Sequence, residues 1–191
     1  MAEYPSRLVR EHRLFDGRTV TVRPVRADDA PLVRDFLNAL SGESRYMRFQ
    51  KWVRAPSDKL LRFLTDVDYD RHMALVCTAQ GDGREQIVGE ARYVAELSGA
   101  SCELGIVVAD AWHKSGIAGL LMEALIRAAR ERGLPRMEGF VLAGNAEMLR
   151  FVRALGFRAE PAPQDRTVMR ISKTLTDRRI DPDQTLDAPQ H

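Results

Sequence analysis

The sequence predicts an α/β (α+β) fold built on one mixed, mostly antiparallel central sheet of about six to seven strands flanked by helices. Two observations carry that expectation. Three alternating, β-rich segments follow one another in mid-chain with only turn residues between them, and a long segment of helical period comes directly after. The 191 residues, 45% hydrophobic and 29% charged, suit one domain with a substantial core.

Residues 19–25, TVTVRPV, alternate after the turn Asp16-Gly17 and read as the first strand. Asp29 stands at a helix-cap position, ahead of a helix running to about Leu40. Shorter helices are expected over 44–50 and 57–65, the second with Leu60, Leu61 and Leu64 on one face. The period then drops to two. Residues 72–79, 86–95 and 101–108 read as strands divided by the turn-like QGDGRE and ELSGA, an antiparallel meander. Ile117, Leu120, Leu121, Ala124, Leu125 and Ala128 next form one stripe of a helix that stops at Gly133, with Glu123, Arg127, Arg130 and Glu131 opposite. A strand over 136–142, a helix over 145–155 ending at Gly156, and strands over 157–162 and 167–172 complete the order. The domain reading is an N-terminal extension over 1–13, one domain over 14–175, and a polar tail over 176–191 that lacks periodicity and is expected to be disordered.

A formal net charge of +2 with scattered basic residues gives no sign of a nucleic-acid partner. Cys77 and Cys102 make neither a CxxC pair nor a disulfide framework, so no metal is expected and a reducing, cytoplasmic setting is. The N-terminus has no apolar run and the stretch 116–126 is broken by Glu123, so neither signal peptide nor membrane span is expected.

Residues 105–125, GIVVADAWHKSGIAGLLMEAL, pass from strand to helix across a short polar break. A helix that starts this way leaves its first N–H groups unpaired, with the positive end of the helix dipole behind them, and binds anions. Gly116 would let a phosphate come close while Ala118 and Gly119 keep the surface low; tight packing of helix on sheet is the other use of the same glycines. Lys114 and Ser115 precede Gly116, which excludes the Walker loop, and Leu121 stands where the dinucleotide fingerprint needs a third glycine. In SCELGIVV, alternation puts Cys102, Leu104, Ile106 and Val108 on the apolar face and Ser101, Glu103, Gly105 and Val107 on the other. Symmetric pairing across AELSG would set Arg92 opposite Glu103.

His113-Lys114-Ser115-Gly116-Ile117-Ala118 resembles the Gln/Arg-x-x-Gly-x-Gly/Ala motif of the GNAT superfamily of N-acetyltransferases, and NAEMLRFVRALGF, residues 145–157, resembles its asparagine-bearing helix that ends in Leu-Gly-Phe. Within the superfamily, DGRTVTVRPVRADD, LSGESRYMRF, VDYDRHMALV and VGEARYV are similar to the Pat-type protein-lysine acetyltransferase domain. The resemblance spans about residues 14–175. It implies acetyl-CoA as co-substrate without a metal and an amine acceptor, a protein lysine or a small amine, and it leaves a homodimer open.

By the same resemblance, the backbone from Lys114 through Ser115, Gly116, Ile117 and Ala118 to Gly119 holds the pyrophosphate, Val107 and Val108 offer backbone hydrogen bonds to the pantetheine arm, and Asn145 contacts the cofactor. Asparagine is also a favoured N-cap. His113 replaces the motif's Gln or Arg with a shorter, partly charged group. Such chemistry needs a base, because an amine of pKa near 10.4 is protonated at neutral pH and cannot attack a thioester. Glu103 is the candidate, both by its open face beside Gly105 and by the resemblance; a merely solvated glutamate is the other reading. Val152 stands where many members carry a tyrosine that protonates the leaving thiolate. His72 either lines the acceptor mouth or is structural. The expected activity is N-acetyl transfer by direct attack, with two alternatives: an acyl intermediate on Cys77 or Cys102, and a non-catalytic acyl-CoA-binding sensor.

Overall fold

The strands are β1 (Arg10–Arg13), β2 (Thr19–Pro24), β3 (His72–Gly81), β4 (Arg84–Ala95), β5 (Cys102–Val108), β6 (Arg136–Leu142), β7 (Arg158–Ala162) and β8 (Asp165–Thr174). The helices are α1 (Ala30–Ala39), α2 (Gly42–Phe49), α3 (Asp58–Thr65), α4 (Ile117–Glu131) and α5 (Ala146–Ala154). They come from a computed structural model that describes residues 3–49, 55–81 and 83–176, so most of the polar tail, 177–191, lies outside the described residues. The strands form one sheet in the order β1-β2-β3-β4-β5-β6-β8-β7. Every neighbouring pair is antiparallel except β5 and β6, which run parallel.

Two cores cover the two faces. On one, α1 and α3 pack Val33, Phe36, Leu37, Leu61 and Leu64 against Ala74, Val76, Ile87 and Val107. On the other, α4 and α5 bury Ile117, Leu121, Leu125, Leu149 and Val152 against the inward residues of the remaining strands. The expected stripe of α4 is buried except Leu120, which is half-buried, and Met122, Ile126 and Ala129 are buried beside it. Each fully buried Leu of this kind contributes about 1.5–3 kcal/mol. Gly89 in β4 sets how closely α4 sits: a Cβ there would lie 3.0 Å from Ile117 Cγ2 and 3.0 Å from Leu121 Cδ1.

The structure departs from the sequence reading in three places. Residues 10–13, assigned to an N-terminal extension, form β1; Arg-Glu-His-Arg is a polar edge strand with no apolar alternation to reveal it. Asp29 does not cap α1 with its side chain. Buried Arg23 takes both of its oxygens (2.7 and 2.8 Å), and Arg26 N–H donates to it at 2.7 Å. Finally, Arg92 faces Gly105 across the ladder and Val94 faces Glu103. Glu96 N–H donates to Ser101 O at 2.9 Å and closes the loop there, which shifts the register by two residues from the symmetric pairing.

Candidate active site

The two parallel strands meet only at Cys102 with Met137 and Glu103 with Glu138. Beyond these pairs they part, because β6 continues along β8 and β5 along β4. A cleft of about 760 Å³ opens between them, walled by residues 103–108 of β5 and 140–142 of β6, with α2, α5 and the start of α4 around it. Ladder alternation decides which main-chain groups face it. Ala109 N–H donates to Val88 O at 2.9 Å, so residues 107, 105 and 103 also turn their N–H and C=O towards β4, and Leu104, Ile106 and Val108 turn theirs towards the cleft. Val107, expected to offer backbone hydrogen bonds there, therefore turns its N–H and C=O away from the cleft, and Ile106, not singled out from the sequence, turns its own towards it. The Val108 carbonyl accepts from His113 Nε2 at 3.1 Å, which fixes the proton on that nitrogen.

At the start of α4, Gly116 is the N-cap residue with φ +91°, a left-handed conformation that disfavours side chains. The first backbone bond of the helix runs from Leu120 N–H to Gly116 O at 3.2 Å, so the amides of Ala118 and Gly119 precede it. A Cβ on Gly116 or Gly119 would meet nothing within 4 Å. Close helix-on-sheet packing therefore explains neither glycine; Gly89 serves that purpose. Both border the cleft, as do His113, Lys114, Ile117 and Ala118. Ser115 does not: its hydroxyl donates to Trp112 O at 2.6 Å and accepts from Ile117 N–H at 3.4 Å, bracing the turn from behind. Asn145 borders the cleft too, with Oδ1 accepting from Met148 N–H at 3.0 Å as the N-cap of α5 and Nδ2 donating to Met47 Sδ at 3.6 Å.

Glu103, Gly105 and Val107 point to the face opposite α4. Glu103 is exposed on the cleft wall, and among the described residues it has no ion pair. Its parallel partner Glu138 is held by Arg136 Nε at 2.7 Å and Arg170 Nε at 3.8 Å. Behind this wall lies a buried charge cluster absent from the sequence reading. Glu90, 4% exposed, is paired with Arg92 and, at 3.8 Å, with Arg48 of α2. Burial works against its ionisation, but the two guanidinium charges outweigh that and lower its pKa. Arg92 also donates to Leu64 O at 3.0 Å and Phe63 O at 3.3 Å, and meets His72 Nε2 at 2.9 Å. Since a guanidinium only donates, that nitrogen accepts; burial, then the Arg92 charge, lowers the His72 pKa to about 4 and keeps it neutral. His72 is thus a structural acceptor and not part of the cleft lining. The signal for the cluster was two charges at positions 90 and 92, on one face of the apolar stretch 87–95 of the strand.

α2 buries no residue of its own and is fastened by Asp110, whose carboxylate accepts from Ser41 N–H (2.9 Å), Ser41 Oγ (2.9 Å) and Ser44 Oγ (2.7 Å). Burial opposes the charge here as well, but these hydrogen bonds outweigh it and bring the pKa to about 2. Burial pushes both thiols, Cys77 and Cys102, up to about 12, which removes the acyl-cysteine alternative. Val152 is 1% exposed and has no proton to give. The described residues contain no group of three or more side chains suited to hold a metal ion, and none of their helices is long and apolar enough to cross a membrane.

A sheet split between two parallel strands, with an open helix start at the split, is the frame of an acyltransferase of the GNAT class. Residues 19–158 match the acetyltransferase (GNAT) domain family, and the chain belongs to it. It is 37% identical over 154 residues to acetyltransferase PA5475 of Pseudomonas aeruginosa, covering 81% of this chain and 83% of that one. It is 34% identical over 141 residues to the acetyltransferase Pat of Mycolicibacterium smegmatis, covering 73% of this chain and 41% of that longer protein. The GNAT domain of S. lividans PAT superposes with a TM-score of 0.81 at 28% identity, over 90% of this chain and 99% of that one. The chain is thus an acetyl-CoA-dependent acetyltransferase, similar to Pat, with eight strands where six to seven were expected.

Proposed function

We propose that the chain transfers the acetyl group of acetyl-CoA to a primary amine, with Glu103 as general base. The observation that carries this reading is the position of Glu103: the last β5 residue paired to β6 before the strands part, exposed, and free of the arginines that hold Glu138. Acetyl-CoA supplies an activated thioester. The residues present suit such a donor. The Ala118 and Gly119 amides and the dipole of α4 suit a pyrophosphate, and the open space over Gly116 and Gly119 is a cradle that side chains would fill. The cleft-facing N–H groups of Ile106 and Val108 suit an amide-bearing arm. Asn145 and Lys114 border the same space, and the His113 ring braces its wall at Val108.

Glu103, directly or through one water, takes a proton from the acceptor ammonium, and the freed amine attacks the thioester carbon as the C–S bond breaks. With Val152 in place of a hydroxyl, the thiolate recovers its proton from the amine or from solvent. A protein lysine and a small amine both fit this chemistry. Labelled acetyl-CoA incubated with the protein and a cell extract separates them by whether label enters protein or small molecules. Binding of acetyl-CoA with no CoA release on any amine would make the chain the acyl-CoA sensor instead.

A further inference from the structure

We propose that the acceptor is a small zwitterion, a free amino acid, whose carboxylate pairs with Arg48 while its amine faces Glu103, a reading that rests on Glu103 being the base. Arg48 sits on a helix with no buried residue, and its own side chain is only 13% exposed. Its guanidinium lies flat against the strand at Gly105: a Cβ built there would come within 2.7 Å of Cζ and Nη1 and 2.8 Å of Nη2. Its Nε is buried with no hydrogen-bond partner. Among the described residues its ion-pair partner is Glu90, which stands 3.8 Å away and is already taken by Arg92. Two guanidinium groups thus share one carboxylate, and the neighbouring His72 is neutral. Within this cluster one positive charge is in excess, and Arg48 borders the cleft.

A buried guanidinium with unused donors is costly, and a second carboxylate in bidentate contact offsets that cost. Position selects the source. The α4 amides lie on the opposite face of the sheet, so the donor's phosphates have their own site. Gly105 is two residues from Glu103 on the same strand face, about 7 Å along the strand. The Arg48 guanidinium over Gly105 and the Glu103 side chain are thus neighbours on one face, a spacing on the scale of a single small molecule that carries both charges. The other groups facing this space from α2 and β5 are the carboxylates of Glu43 and Glu103, which suit the ammonium. An acceptor carrying only positive charge, a diamine or a lone lysine side chain, would meet repulsion from Arg48 in a partly desolvated site.

The test uses the common L-amino acids, each beside its carboxamide, with CoA release as one readout and calorimetric binding to the CoA-saturated protein as the other. At least one acid should exceed its amide by about tenfold or more in kcat/KM and in affinity. Arg48→Gln should bring that ratio towards one. Gly105→Ala keeps every charge but pushes the guanidinium off the strand, and should lower the ratio as well, so a poorly folded Arg48 variant does not decide the matter. Amides used as well as acids, a lysine peptide acetylated while free amino acids neither bind nor react, or a ratio that survives both substitutions would overturn the proposal. The two readings fail separately. A carboxylate preference that depends on Arg48, with turnover that survives Glu103→Gln, sinks only the base assignment; transfer without preference for the carboxylate sinks only this one.

Discussion

The two ends of the cleft are built from different materials. At the α4 end the groups open to the cleft are main-chain amides, left over because a helix starts there without a side-chain cap, and glycines keep the approach clear. At the α2 end they are charged side chains, held in place by a buried cluster of Glu90, Arg92 and Arg48 and by the Asp110 fastening. Main-chain amides serve any phosphate and carry no proton chemistry. Charged side chains can select an acceptor and move its proton. The arrangement therefore makes donor binding and chemistry separable by mutation.

Substitution at the donor end should give the largest effect. Gly116→Glu places a carboxylate in the space a phosphate would use and costs about 1–2 kcal/mol for the left-handed backbone, so calorimetry on the folded variant should detect no acetyl-CoA binding. Unchanged affinity would mean that the α4 end is not the donor site. At the other end, Arg92→Leu strands the Glu90 carboxylate with only its distant Arg48 partner. Chemical denaturation should register a loss of about 3–5 kcal/mol, far more than a surface ion pair contributes.

Asn145 stands between the two ends and sharpens the contrast. Its cap to Met148 N–H contributes about 1 kcal/mol, so Asn145→Ala should lower stability by that amount, and any accompanying rise in the KM for acetyl-CoA measures its contact with the donor separately. The smallest effect concerns pH. Asp110 titrates at about 2 in the folded chain against an ordinary 3.8, so its contribution is fully present above that ordinary value and is lost as pH falls from 3.8 towards 2. The stability difference between the wild-type chain and Asp110→Asn should be constant at pH 5 and above and vanish near pH 2.

The α4 end was legible because its signals are local. An apolar stripe marks the helix, and a glycine at the strand-to-helix turn marks the opening. What sequence could not decide was which use the glycines serve; that needed Gly89, twenty-eight positions before Ile117, to be seen beneath the helix. The α2 end depends on pairings between distant segments. Arg92 was set against Glu103 because the loop closure at Glu96 and Ser101 was not visible, and a two-residue shift exchanged its partner for Gly105. Arg48 carried no signal at all, since a polar helix gives no hint that one of its arginines lies against Gly105 of a distant strand. The same register determines that Val107 faces β4 and Ile106 the cleft, a distinction alternation leaves open until one ladder bond is known.

The most direct test of the account is Glu103→Gln, measured on one preparation for both acetyl-CoA affinity and turnover with a competent amine. Glutamine keeps the size and hydrogen bonding of the side chain but cannot take the proton. Turnover at pH 7 should fall by about 10² to 10⁴ with affinity nearly unchanged, and the deficit should shrink as pH approaches the pKa of the amine, where solvent supplies the free base. A variant that keeps most of the wild-type turnover at pH 7 would contradict the account, leaving Glu103 an ordinary surface carboxylate and the rate to proximity alone.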